Sequence, residues 1–148
     1  MVKPFDLLPA VVRRRANEVA PGVTRIARQA AMAIDRELVY GTPVDKGVAR
    51  SNWIGSNGTP FADVIPAYAP GKKLGIGERA NAEAAIAQAK TAINTFQAGK
   101  GQKLYLTNNV PYIGRLNNGH SKQAPAGFIQ KGVQAGVESV KGARIFKG

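Results

Sequence analysis

A chain of 148 residues without a cysteine excludes a disulfide-stapled scaffold, a thiolate metal site and a cysteine nucleophile, while its 44% hydrophobic content supports one domain with a real core. Its 21 lysines and arginines against 9 acidic residues give a formal charge of +12, a field that favours nucleic acid or an acidic protein surface as partner. No run approaches the roughly 18 apolar residues of a membrane helix, and a start carrying Lys3, Pro4 and Asp6 is not the pattern of a signal peptide.

The charge is uneven. Residues 1–40, 41–78 and 79–148 carry +3, +1 and +8, so the C-terminal half is the basic half. A solvated surface with a chance asymmetry is the plain alternative.

From Phe5 to Val39 apolar residues recur three and four apart: Leu7, Leu8, Val11, Val12 and Val19, then Val23, Ile26, Ala27, Ala30, Ile34 and Leu38. This is the signature of an amphipathic helix. Pro21 and Gly22 predict a break, giving a short first helix and a second from Gly22 to Val39. Arg13, Arg14 and Arg15 point in three directions on a helix and read as a solvated face. Tyr40 to Gly47 is a turn by composition, in which Pro43 ends the helix and Asp45 can bond its own backbone.

Ser51 to Ser56 reads as a strand. Trp53, the sole tryptophan, is a core residue in the simpler reading and a base-stacking platform in the other. Residues 57–77 hold Gly58, Pro60, Pro66, Pro70, Gly71, Gly75 and Gly77, which predicts a long loop, with a short strand at Ala62 to Ile65. Its GKKLGIG stretch lacks the spacing of a phosphate-binding P-loop. Asn81 to Phe96 is a helix capped by Asn81, with Ala82, Ala85, Ile86, Ala89, Ile93 and Phe96 on one face and Gly99 as its stop. Lys103 to Thr107 alternates and should pair with the strand near Trp53.

The stretch NNVPYIGRLNNGHSKQAPAGF, Asn108 to Phe128, predicts a tight helical corner. Asn108 or Asn109 can cap a helix opened by Pro111. Tyr112, Ile113 and Leu116 follow at helical spacing, Gly119 ends the turn, and Pro125 opens a second helix that buries Phe128 and Ile129. That helix is expected to reach Lys141 and to bury Val133, Val137 and Val140, with Gly132 and Gly136 as a thin strip suited to tight helix or subunit contact. Residues 143–148 read as a loose tail.

No convergent set of catalytic groups emerges. His120, the only histidine, lies in a polar link, and Asp6, Asp35, Asp45 and Asp63 are scattered without a paired-carboxylate spacing. Neither enzyme, metal site nor cofactor is expected.

Two separated blocks carry a resemblance. NNVPYIGRLNNGHSKQAPAGF and TPVDKGVARSNW, Thr42 to Trp53, are similar in pattern and order to the neck or tail-completion proteins that join head to tail in tailed bacteriophages. The resemblance implies a structural virion protein, assembled in the host cytoplasm, with no catalytic role. It implies one subunit of a homo-oligomeric ring, a hexamer or dodecamer, between the head-closure or adaptor ring and the tail terminator or tail tube. Non-specific contact with genomic DNA in the channel is part of that expectation, and a membrane is not. The alternative is a basic nucleic-acid-binding domain using the C-terminal half.

Together these readings predict an α+β domain over residues 1–148. A helical arm at 1–40 and further helices pack on a small antiparallel sheet with a long inserted loop. Phe61, Val64, Ile65, Tyr68 and Leu74 of that loop are the candidate subunit-interface residues, because they are more apolar than a solvated loop requires. Pro111, Tyr112, Leu116, Gly119, Pro125 and Phe128 form the structural corner. No residue is assigned to face DNA.

Overall fold

The computed structural model describes residues 7–44, 46–71, 77–122 and 125–146. Its elements in order are α1 (Leu8–Gly41), α2 (Val48–Ser51), β1 (Ile54–Asn57), α3 (Glu78–Thr95), β2 (Leu104–Thr107), α4 (Ile113–Asn117) and α5 (Phe128–Ser139). The fold is α+β. β1 and β2 form a two-stranded antiparallel sheet with Ile54 opposite Thr107 and Asn57 opposite Leu104.

A two-stranded ribbon is marginal in water, and here α3 covers its open edge. The Gln88 amide donates to the Gly55 carbonyl and accepts from the Gly55 N–H, both at 2.9 Å, as a neighbouring strand would. One turn on, Asn57 Nδ2 donates to the Ala92 carbonyl at 2.9 Å. Such closeness requires small residues: a Cβ on Gly55 would lie 2.9 Å from the Ala89 Cα. The alanine face of α3 thus does what its composition predicts, and Ala82, Ala85, Ala89 and Ile93 are fully buried.

Two apolar clusters form the core. One gathers Leu38, Val39, Trp53, Ala82, Ala85 and Phe128; the other gathers Ala31, Ala89 and Ile93 beneath Leu104 and Leu106 of β2. Trp53 lies just before β1 and is a core residue, its Nε1 donating to Thr42 Oγ1 at 2.7 Å.

Several expectations are corrected. α1 runs unbroken through Pro21. The proline lies on the exposed side, where a carbonyl deprived of its partner can be hydrated, and Gly22 beside it is buried against the Ile145 backbone. Ser51 ends α2 instead of opening the strand, and Ala62 to Ile65 forms none. α3 begins at Glu78, so Asn81 lies inside the helix and does not cap it. α5 begins at Phe128 behind a left-handed Gly127, and Pro125 stands outside it.

The largest helix-helix interface is α1 against α5. Its seam is glycine. A Cβ on Gly132 would meet Leu38 Cδ2 at 3.2 Å, and one on Gly136 would come within 2.8 Å of the Ile34 backbone nitrogen. Because the two backbones approach along this strip, the valines one position further on turn outward: Val133 is 41% exposed and Val137 54%. The expectation that they are buried fails for that reason.

Gly136→Ala should therefore destabilise the fold by about 1–3 kcal/mol through overpacking against a backbone that cannot yield. Val137→Ala, on the outer face, should stay within about 0.5 kcal/mol. Thermal or urea denaturation of the two variants side by side checks the phase of the helix.

Candidate functional site

The two sequence blocks singled out above meet in space. Between them lies an open groove of about 430 Å³ lined by Pro43, Val44, Lys46, Tyr112, Leu116 and His120. The Thr42-to-Trp53 block also carries a buried guanidinium. Arg50 Nη2 donates to the carbonyls of Thr42 (3.0 Å) and Tyr40 (3.3 Å) where α1 ends, and Nη1 meets Glu78 Oε1 (3.0 Å) where α3 begins. A cation on the exposed carbonyls of a helix C-terminus, and a carboxylate in the first turn of the next helix, each complement a helix dipole. Sequence reasoning missed Arg50. Its one signal was a lone arginine among the small residues of a turn.

α4 and α5 are pinned to each other differently from the expected capping. Asn108 does not cap α4; its Nδ2 donates to the Ala49 carbonyl at 2.8 Å and its Oδ1 accepts from the Val110 N–H at 3.2 Å. Pro111 and Tyr112 are exposed ahead of α4, while Ile113 and Leu116 are half-buried on the first core cluster. Gly119 takes the left-handed conformation (φ +89°) that its place after the helix requires. Asn117 is the pin. Its carbonyl accepts from Gly127 N at 2.7 Å, its Oδ1 from Ile129 N at 2.9 Å, and its Nδ2 donates to Gln130 Oε1 at 2.9 Å. The first turn of α5 is thus capped by a side chain from α4, and Phe128 enters the core.

The long loop is strapped down by asparagines. Asn109 Nδ2 donates to the carbonyls of Phe61 (2.7 Å) and Asp63 (3.2 Å). The Asn52 amide takes both the N–H and the carbonyl of Ile65 at 2.8 Å. The Asn81 amide takes both groups of Ala69, at 2.6 and 2.9 Å, and Ser51 Oγ accepts from Tyr68 N at 3.3 Å. Asn52, Asn81 and Ser51 are fully buried, so these amides act as a partner strand for an extended chain. Of the candidate interface residues, Val64 and Tyr68 are exposed, Phe61 and Ile65 are half-buried, and Leu74 lies outside the described residues, as do Asp45 and most of the GKKLGIG stretch. A loop that serves assembly alone, removable without harm to the fold, does not fit this arrangement: removing it takes from the buried amides of Asn52 and Asn81 their partners in the loop.

Apolar surface is left uncovered elsewhere. Leu8 through Glu18 of α1 are all exposed, with Leu8 at 53% and Val12 at 58%. Arg14 and Arg15 both reach Glu18, at 3.8 and 3.0 Å. Among the described residues no group of three histidine, aspartate or glutamate side chains is placed to hold a metal ion, and no helix is long and apolar enough to cross a membrane.

One buried group stands apart. Asp35 of α1 is fully buried, neither carboxylate oxygen has a hydrogen-bond partner, and desolvation pushes its pKa up to about 7 against a smaller opposing effect of Arg36.

No family model matches the chain, and comparison with curated proteins and with solved structures found no match.

Asn81→Ala leaves both backbone groups of Ala69 without partners and should cost about 1–3 kcal/mol, with proteolytic cleavage in residues 61–71 rising in parallel. For Asp35 the folded pKa lies above the unfolded one, so its contribution is full below about pH 4 and is lost as pH rises through about 7. Urea titrations of wild type and Asp35→Ala should diverge across that window by up to about 1.4 kcal/mol per pH unit, wild type losing ground as pH rises.

Proposed function

We propose that the chain is a structural protein of the phage head-to-tail junction, one copy of a ring closed around the DNA channel between the head-closure or adaptor ring and the tail. Its work is binding, without a catalysed reaction, in a particle assembled in the host cytoplasm. The resemblance of the two sequence blocks suggests the reading, and the uncovered first three turns of α1 carry it physically.

A helical segment of 11 exposed residues, Leu8 to Glu18, is marginal in water by itself and displays Leu8, Val11 and Val12 to solvent. A ring closes through two different patches on each subunit, one meeting the other on its neighbour. This chain offers an apolar arm at one place and the outward valines of α5, Val133 and Val137, at another. The loop residues Val64 and Tyr68 add exposed apolar surface near β1. The groove between the two blocks can seat a neighbour's apolar side chain.

A second reading has its own support. The formal charge of +12 suits a monomeric nucleic-acid-binding domain as well as a ring.

Leu8→Glu with Val12→Glu places charge on an arm that makes no core contact, so the melting temperature should hold. Higher oligomers of the full-length chain, read by analytical ultracentrifugation and negative-stain microscopy, should disappear. A wild-type chain that stays monomeric at every concentration yet binds duplex DNA tightly favours the second reading.

A further inference from the structure

We infer that the crevice between α1 and α3 is a track for the phosphate backbone of nucleic acid. Three adjoining grooves line it and share their basic residues. The first is flanked by Arg28 and Lys100, the second, of about 640 Å³, by Arg28, Arg36 and Lys90, and the third again by Arg36 and Lys90. Lys100, Arg28, Lys90 and Arg36 therefore follow one another along a continuous furrow.

None of the four makes an ion pair among the described residues, whereas Arg14, Arg15, Arg50, Arg79 and Lys141 all do. Arg36, Lys90 and Lys100 are exposed. Arg28 is anchored through Nε and Nη2 to the Phe96 carbonyl, at 2.9 and 2.7 Å, which offsets the negative end of α3 and fixes a positive charge in the middle of the furrow. Of the described carboxylates lining the grooves, Glu83 is held by Arg79 at 2.7 Å, leaving Glu37 as the one free acid.

The spacing suits a polymer. Arg28 and Arg36 are eight residues apart on α1, about 12 Å along the helix, which is the rise of three to four nucleotides along one strand. Gln29 and Asn94, lining the same groove, add neutral donors of the kind that contact phosphate oxygens without reading sequence. Met32, Ala33 and Ala135 give the central groove an apolar floor between its flanking cations, and competition by an acidic polypeptide in the test separates a protein partner from a nucleic acid. The inference rests on the ring reading only for which nucleic acid is met, namely the DNA in the channel.

The test uses the full-length chain and a fluorescent duplex of random sequence. Arg36→Gln with Lys90→Gln is compared with Lys103→Gln plus Lys131→Gln, which removes equal charge from residues outside the grooves. The track variant should weaken binding and make the slope of log K against log salt shallower by about 1.8, at about 0.9 for each phosphate no longer neutralised. The control pair should leave the slope nearly unchanged. Inorganic phosphate at equal phosphorus should not compete, which separates a polymer track from a site for the free ion. Equal weakening in both double variants, no weakening in either, or displacement of the duplex by polyglutamate as readily as by unlabelled duplex would overturn the inference. Sedimentation of the same variants reads assembly separately, so rings that form from the track variant with duplex binding and salt slope unchanged refute the track and leave the ring reading standing.

Discussion

The junction at Arg50 is the constraint on which the rest of the structure depends. One guanidinium, almost wholly removed from water, holds the last carbonyls of α1 with one nitrogen and the first turn of α3 with the other. The end of the long helix and the start of the covering helix are thereby fixed relative to each other, and with them the face of α3 that meets β1. A buried charge of this kind is stable only while its partners stay in place. Glu78 is half-exposed, so solvent shares in that compensation and the backbone carbonyls supply the rest.

From that junction the packing is decided by small residues. Ala89 lets α3 close on Gly55, and Gly132 and Gly136 let α5 close on α1. Close approach brings more atoms into contact than larger side chains at the same positions could, since those would hold the backbones apart. The core therefore draws on backbone contact as well as on the large apolar residues, which suits a chain rich in alanine and glycine.

The sequence made the helices, the pairing of the two strands and the alanine face of α3 legible, because each follows from periodicity within a single segment. What it concealed depends on partners far along the chain. The valines of α5 carry the stronger hydrophobic period, yet the glycines one position away take the interface, because α1 arrives there. Asn81 reads as a helix cap by its neighbours and is a strap by its contacts with Ala69. Pro21 reads as a break, but it falls where the missing hydrogen bond faces water. Counting charge along the chain located a basic C-terminal half, whereas the furrow of unpaired cations draws Arg28 and Arg36 from the first forty residues and Lys90 and Lys100 from the rest. The corner at Asn108 to Phe128 was recognisable as a corner, and Asn117 as its pin was not, since three asparagines nearby offer the same chemistry.

The asparagine straps carry a consequence for how this chain tolerates change. Anchors at Phe61, Ile65 and Ala69 recur every four residues along the segment, held in turn by the side-chain amides of Asn109, Asn52 and Asn81. Inserting or deleting a single residue between them would slide the segment out of phase with at least one anchor. Length variation is therefore admissible outside this stretch, before Phe61 or after Ala69, and inadmissible within it, so that a region with the composition of a variable loop has the length discipline of a strand.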